Sequence, residues 1–150
     1  GGIVIAAKTA EALRIMNQKI KDRELEKYYL CVIHGKLMPA SGRLEGFLLK
    51  DEAKNQVTVH KNPIPGGRSA LTLYRTLATK NNLSLMECEL ITGRTHQIRA
   101  QFAAAGHPLL GDGKYGNARD NRKFDRKFQA LCSYQRRRCS KPFKRQKLAG

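Results

Sequence analysis

The sequence has no run of 18 apolar residues, which excludes an ordinary membrane-spanning helix. Its opening, GGIVIAAKTAEAL, also lacks the basic start and the cleavage site of a signal peptide. We therefore expect a cytoplasmic protein. Residues 1–7 form a β-branched apolar run typical of a buried strand, and because domains seldom open in mid-core, we expect a further segment before it.

Patterns for metal and nucleotide sites are missing as well. The cysteines form no CxxC pair, the histidines have no metal-ligand spacing, and GDGKYG at 111–116 does not match the GxxxxGK[S/T] pattern of a P-loop. We expect reduced cysteines that pack as small apolar side chains. The sequence predicts no disulfide, no metal and no small-molecule cofactor.

Acidic residues are scarce, with 12 Asp and Glu against 29 Lys and Arg, for a net charge of +17. From Lys114 onward, 13 Lys and Arg face two Asp, a net of +11. Such a charge favours a polyanionic partner, because each neutralised phosphate releases counterions. Nucleic acid is favoured over an anionic membrane, since the tail contains no strongly amphipathic basic helix. Charge alone names no activity, and basic tails also serve solubility.

Apolar spacing and turn residues predict the first elements. Thr9 is a candidate N-cap for a helix that ends near Lys21 and places Ala12, Leu13, Met16 and Ile20 on one face. Residues 27–35, KYYLCVIHG, are typical of a buried strand that ends at Gly35.

One hairpin is predicted in the middle of the chain, after a stretch of short strands and turns. Residues 69–79 and 83–91 are apolar runs around an Asn-containing turn, which predicts an antiparallel pair. Before them, residues 36–68 carry strand-like pieces near 44–49 and 56–60, separated by Pro and Gly turns. This stretch predicts a hairpin-rich surface excursion.

A second helix is predicted after Gly93. Thr95 is its candidate N-cap, Gly106 occupies its C′ position, and its apolar stripe contains Ile98, Phe102 and Ala105. A last strand is predicted at 127–135. Strands outnumber helices and pair with near neighbours, so the sequence predicts an α+β fold with a mixed, largely antiparallel sheet and flanking helices.

The segment TGRTHQIR, at 92–99, joins the last hairpin strand to this helix. A glycine permits a sharp turn there, and a helix start presents unpaired N–H groups and the positive end of the helix dipole. Arg94 therefore emerges where an anion is stabilised. The other polar side chains that can contact such a ligand are Thr95, His96, Gln97 and Arg99. A solvent-facing arginine at a structural joint fits the same residues, so both interpretations stay open.

A longer stretch around this segment resembles a known family. Residues 89–116, ELITGRTHQIRAQFAAAGHPLLGDGKYG, are similar to the signature of the RluA family of RNA pseudouridine synthases, L-x-T-G-R-T-H-Q-I-R-x-H followed by G-H-P-L/I-x-G-D and Y-G. EKYYLCVIHG at 26–35 resembles the family's K-x-Y-L-A-L-V-x-G strand, and GGIVIAAKTAEA resembles the stretch after its H-R-L-D motif. The resemblance covers residues 1–135 and leaves 136–150 as a basic tail.

This resemblance implies residue roles and a reaction. Arg94 matches the active-site arginine that pairs with the catalytic aspartate, Tyr29 the tyrosine that stacks on the target base, and Leu90 an apolar residue of the uracil pocket. Substrate contacts are predicted for Thr95, His96, Gln97 and Arg99. The implied reaction converts uridine to pseudouridine in structured RNA, either rRNA or tRNA, without metal or cofactor: the aspartate attacks, the C1′–N1 bond breaks, and the base rejoins through C5.

Two departures from the family pattern matter. Gln101 replaces the family's second histidine, and the H-R-L-D motif with its nucleophilic aspartate is absent. Of the five aspartates, none has that context, and Asp112 matches a G-D loop where we expect a structural turn role. The sequence thus resembles the C-terminal part of a catalytic domain, and we expect it to be inactive alone.

Two alternative hypotheses remain. The chain can be a non-catalytic basic RNA-binding module, with binding that depends steeply on salt and yields no product. It can also be a truncation without a role of its own, whose uncovered strand promotes self-association. The sequence leaves open the oligomeric state and which uridine is modified.

Overall fold

A computed structural model describes residues 5–22, 24–116, 118–119 and 121–122. Two helices, α1 (Ala10–Lys21) and α2 (Gln97–Ala104), accompany five strands: β1 (Tyr28–His34), β2 (Ser41–Asp51), β3 (Gln56–His60), β4 (Arg68–Lys80) and β5 (Leu83–Leu90). The strands form one sheet in the order β1-β5-β4-β2-β3, and every neighbouring pair is antiparallel. The predicted α+β class is confirmed. The predicted strand at 127–135 and the basic tail lie outside the described residues.

The hairpin of β4 and β5 forms the middle of the sheet, as predicted. Its two loop residues, Asn81 and Asn82, have positive φ angles of 53° and 58°, and such loops match the twist of the strands that they join. β5 alternates strictly, so that Ser84, Met86 and Cys88 are buried while their neighbours are half-exposed. The sheet therefore has one covered face and one that is open among the described residues.

Residues 36–68 do form a hairpin, but their prediction as a surface excursion is wrong. β2 pairs with β3 on one edge and with β4 on the other, from Ser41 opposite Arg75 to Leu48 opposite Arg68. Leu48 and Val57 are 5% and 4% exposed and belong to the core. The turn residues indicate where these strands end, whereas the partner on the second edge of β2 is set by tertiary pairing.

β1 is only partly buried, so the prediction of a buried strand is wrong for its first half. It is an edge strand that pairs along one side with β5. Its second half is covered, because Leu110 donates its N–H to the Val32 carbonyl at 2.8 Å, and Ile33 is fully buried. Its first half stays exposed, through Tyr28, Tyr29 and Leu30.

The start of the described chain differs from its predicted role. Ile5 is 67% exposed and residues 5–7 belong to no strand, so the predicted strand is wrong there, and residues 1–4 lie outside the described ranges. The α1 prediction is confirmed, since the Thr9 hydroxyl accepts the Ala12 N–H at 3.1 Å. No residue of α1 is buried, and its apolar residues remain exposed or half-exposed.

α2 covers one face of the sheet and supplies the centre of the core. Phe102 is fully buried and meets Tyr74 edge to face, with ring centroids 6.1 Å apart. The helix ends as predicted at Gly106, whose φ of +81° suits a glycine, although Ala105 is exposed rather than part of the apolar stripe. The buried residues that surround α2 are Ile33, Leu37, Met86, Cys88, Leu48, Val57 and Ala70.

We predict that Phe102→Ala lowers the free energy of unfolding by about 3–5 kcal/mol, because it leaves a cavity between α2 and the sheet. Urea unfolding followed by circular dichroism measures this. Leu77→Ala is the matched control, since Leu77 is 42% exposed, and it should cost about 1 kcal/mol or less. Equal costs for the two variants would contradict the assignment of Phe102 to the core.

Candidate active site

The junction between β5 and α2, residues 91–96, is hydrogen-bonded to β4. Leu71 donates its N–H to the Thr92 hydroxyl at 2.9 Å, and Thr92 donates its own N–H to the Leu71 carbonyl at 3.3 Å. Beyond Gly93, the N-cap of α2 is His96, which has a left-handed φ of 52° and makes no side-chain cap hydrogen bond. The prediction of Thr95 as the N-cap is therefore wrong.

The buried carboxamide of Gln97 holds the junction instead. Its Oε1 accepts the Thr92 hydroxyl at 2.9 Å and the Arg94 N–H at 3.0 Å. Its Nε2 donates to the Leu71 carbonyl at 3.1 Å and to the Thr72 hydroxyl at 2.9 Å. With Gln97 only 2% exposed, the hydrogen-bonding capacity of its amide is used within the chain. Its predicted contact with substrate stays a prediction, and its observed partners fix the backbone of Arg94.

Arg94 projects from this fixed backbone along the start of β4. Its Nε donates to the Ser69 carbonyl at 3.1 Å, and its two Nη groups have no acceptor among the residues that the structure describes. The side chain lines a cavity of about 350 Å³ together with Thr95. The strand residues that line the same cavity include Leu48, Lys50, Val57 and Arg68. Arg94 thus offers a guanidinium edge to a ligand.

Tyr29 and Leu90 lie on the same face of neighbouring strands. Tyr29 pairs with Cys88 in the register of β1 and β5, and Leu90 follows two residues later, so both side chains project toward the α2 side. Tyr29 is 49% exposed and is not among the residues that line the Arg94 cavity. β1 and β4 flank β5, so their backbones are about 10 Å apart. The structure therefore brings Tyr29 close to Leu90 but does not bring either into the Arg94 cavity.

Arg99 is committed to an internal ion pair. Its Nε and Nη2 donate to the two carboxylate oxygens of Asp112, both at 2.8 Å. Asp112 also accepts the N–H groups of Lys114 and Tyr115, at 2.9 and 3.1 Å. The guanidinium and these N–H groups hold the pKa of Asp112 well below its usual range. Asp112 thus has the turn role that we expected, and a substrate contact for Arg99 stays a prediction.

Tyr115 connects the junction to β3, a role that sequence reasoning missed. Its hydroxyl accepts the Val57 N–H at 2.8 Å and lies 3.0 Å from Nδ1 of His96. Burial, with the charges of Arg99 and Lys114, lowers the pKa of His96, so the neutral imidazole can accept the tyrosine O–H. The available sequence signal was the Y-G pair at the end of the signature.

Gln101, which replaces the family's histidine, has a structural role. It is 3% exposed, its Nε2 donates to the Leu44 carbonyl at 2.9 Å, and its Oε1 accepts the Thr72 hydroxyl at 2.6 Å. Its amide therefore joins α2 to both β2 and β4. This departure from the pattern leaves the junction intact.

Metal and disulfide chemistry have no support in the described part of the chain. No cluster of three or more His, Cys, Asp or Glu side chains there is placed to hold a metal ion. Cys31 and Cys88 lie on neighbouring strands with their Sγ atoms 3.7 Å apart and unbonded, while Cys132 and Cys139 lie outside the described residues. None of the helices described is both long and apolar enough to cross a membrane.

Comparison with known proteins shows the family of the chain. The sequence model of the family described as RNA pseudouridylate synthase matches residues 1–104. The chain belongs to this family. The resemblance to RluA-type synthases is thereby confirmed, and Arg94, Tyr29 and Leu90 all lie within the matched residues.

Individual relatives agree with this family. The chain is 37% identical over 117 residues to the uncharacterized RNA pseudouridine synthase YhcT of Bacillus subtilis, covering 77% of this chain and 38% of that protein. It is 34% identical over 116 residues to the ribosomal large subunit pseudouridine synthase D of Borreliella burgdorferi, covering 77% and 35%. The chain therefore spans little more than a third of the length of these relatives.

The fold also matches a solved structure. Human RNA pseudouridylate synthase domain containing 1 superposes with a TM-score of 0.66 at 21% sequence identity, over 75% of this chain and 49% of that one. At this identity the match supports the fold alone. The fold of this chain is thus similar to that of a pseudouridylate synthase domain.

We predict that Asp112→Asn lowers the free energy of unfolding at pH 7 by about 2 kcal/mol, since it removes one partner of a partly buried ion pair. Because the folded pKa is depressed, the carboxylate's contribution is fully present above about pH 4 and is lost as the pH falls toward the folded pKa. The gap between wild type and variant should therefore shrink by about 1 kcal/mol by about pH 3.

Urea titrations at several pH values test this, with Asp51→Asn as the control because Asp51 is exposed. A gap for Asp112→Asn that stays constant down to pH 3 would show that the ion pair does not stabilise the fold.

Proposed function

We propose that this chain supplies the arginine and the stacking tyrosine of an enzyme that isomerises uridine to pseudouridine in structured RNA. The nucleophilic carboxylate comes from a segment outside these 150 residues. The 150 residues alone therefore do not catalyse the isomerisation. The observation that carries this proposal is the guanidinium of Arg94. It stands on a backbone fixed by the buried Gln97 and keeps both Nη groups available at a cavity.

The chemistry explains why such an arginine is needed. A carboxylate in a water-poor pocket is costly to keep ionised, and the planar fork of a guanidinium stabilises it through paired hydrogen bonds. The Ser69 carbonyl accepts the Nε–H of Arg94, which leaves the edge formed by the two Nη groups for the carboxylate. The carboxylate then attacks C1′ of the uridine and displaces N1, so that the C1′–N1 bond breaks. C5 of the freed base next attacks C1′ and displaces the carboxylate, after which the proton on C5 leaves to solvent and N1 gains one.

Tyr29 has the properties of a stacking residue. Its ring lies on an edge strand and is about half exposed, so a base removed from its helix can reach it. Leu90, on the same face, supplies apolar surface beside it, and base–aromatic stacking contributes about 1–3 kcal/mol per base. Tyr29 is two strands from Arg94, a spacing that leaves room for a nucleoside and a carboxylate between them.

The substrate class follows from the relatives and from the charge. Relatives that cover a similar share of this chain are named ribosomal large subunit pseudouridine synthases, which makes ribosomal RNA the first candidate, with tRNA as the second. The net charge of +17 favours an RNA backbone. Reaction at a flipped uridine needs no metal or cofactor, and we expect the enzyme to act in the cytoplasm.

The sharpest test restores the carboxylate. The chain is extended at Gly1 with a segment that carries the family's H-R-L-D motif, and it is incubated with ribosomal RNA that carries tritium at C5 of uridine. We expect tritium release from the extended chain only. Neither the 150-residue chain nor an extended chain with the new aspartate changed to Asn should release it. RNA binding without release by the extended chain favours the basic binding module instead.

In the extended chain, we predict that Arg94→Lys lowers kcat/KM by about 100-fold or more, because lysine keeps the charge but loses the fork. Tyr29→Leu should lower it as well, through the loss of stacking. Arg43→Lys on β2 is the matched control, since Arg43 is exposed and pairs only weakly with Glu45 at 3.5 Å. Wild-type turnover in Arg94→Lys would contradict the role of Arg94.

A further inference from the structure

The cavity beside Arg94 carries an excess of positive charge. Three of the side chains that line it are basic (Lys50, Arg68 and Arg94), and one is acidic, Glu52. Its floor is apolar, formed by Leu48 and Val57, which are both almost fully buried. An excess of cations over an apolar floor, in about 350 Å³, suits a small anionic group attached to a larger ligand.

The three basic side chains differ in the hydrogen bonds and ion pairs that they already make within the chain. Lys50 contacts Glu52 at 2.6 Å, and Arg94 uses its Nε on Ser69. Arg68 makes no hydrogen bond or ion pair through its side chain with any residue in the described ranges. Thr95 adds an exposed hydroxyl at the wall. Arg68 is therefore the cation of this cavity that is most available to a ligand.

The pKa of the neighbouring histidine reflects the positive charge of this region. His96 adjoins the cavity residue Thr95, and its pKa is lowered first by burial and then by the charges of Arg99, Lys114 and Lys50. Asp112 opposes this effect but is already paired with Arg99. The basic side chains of this region therefore disfavour a further cation and favour an anion.

We propose that this cavity is a phosphate subsite that holds a backbone phosphodiester of the RNA, with Arg68 as its principal ligand and Lys50 and Thr95 beside it. Arg68 lies at the start of β4 and precedes Ser69, whose carbonyl holds Arg94. The subsite thereby fixes the RNA backbone at a set distance from the reacting sugar. Arg68 is a positioning residue, since it contacts the substrate away from the reacting atoms. The inference rests on the proposed function in taking RNA as the substrate.

The geometry favours a phosphodiester over a free phosphate. Exposed arginine and threonine side chains line the cavity, so a ligand there stays in contact with solvent. A free anion would gain little from Arg68 alone in water. A phosphodiester within an RNA strand is also held by the other contacts between that RNA and the protein. The affinity that a single arginine contributes therefore adds to binding that already exists.

Equilibrium binding tests the subsite without any turnover. The 150-residue chain is titrated onto a fluorescent RNA hairpin with a uridine in its loop, across a range of KCl concentrations. We expect Arg68→Gln to bind about tenfold more weakly and to lower the slope of log Kd against log salt by about 1. Arg68→Lys should keep the slope, and the control Arg43→Gln, on the opposite face of the sheet, should keep both.

A second measurement identifies the phosphate. Hairpins that each carry one neutral methylphosphonate linkage are compared with native RNA. At one linkage, wild type should lose as much affinity as Arg68→Gln loses on native RNA, and the variant should lose nothing more. Equal losses for both proteins at every linkage, an unchanged slope in Arg68→Gln, or binding of uridine monophosphate as tight as that of the hairpin would each overturn the subsite.

The outcomes of these binding experiments can be told apart from the outcomes of the tritium-release experiment. If the linkage and Arg68 are coupled but the extended chain releases no tritium, the isomerase proposal fails and the phosphate subsite stands. If the extended chain turns over while Arg68→Gln binds RNA as wild type does, only the subsite fails.

Discussion

The carboxamide of Gln97 is the contact on which the candidate site depends. It joins the junction backbone, the first half of β4 and the first turn of α2 in a single group. Buried amides are costly unless fully paired, and this one is. The backbone of Arg94 is held in place as a result, because its N–H is one of the four hydrogen-bond partners of that amide.

The same short helix that carries Gln97 also carries the core. Phe102 anchors α2 on the sheet, and Gln101 joins it to two strands, so the helix cannot shift without loss of packing. The pair of Arg99 and Asp112 holds the following loop to the helix in turn. Fold stability and the geometry of the site are therefore coupled, which explains why so much of a 28-residue signature turns inward rather than toward a ligand.

Local rules predicted the elements well. Thr9, the Asn81–Asn82 loop and Gly106 each occupy the position that their backbone chemistry indicates, and the sheet is antiparallel as expected. Predictions that depended on distant partners were wrong. Periodicity cannot tell that β1 is an edge strand or that β2 has two partners. Thr95 is not the cap because the helix begins only after His96, and the Gln97 N–H donates to the Arg94 carbonyl at 3.1 Å rather than to the Thr95 hydroxyl.

Amide hydrogen exchange at Arg94, followed by NMR, tests most directly whether Gln97 holds the arginine in place. In wild type the Arg94 N–H should exchange as slowly as the amides of the β4–β5 ladder, because its acceptor is buried. In Gln97→Met, which keeps the length of the side chain, it should become fast while the amide of Tyr74, in the middle of the central strand β4, stays slow. A fast Arg94 amide in the wild-type chain would contradict the account.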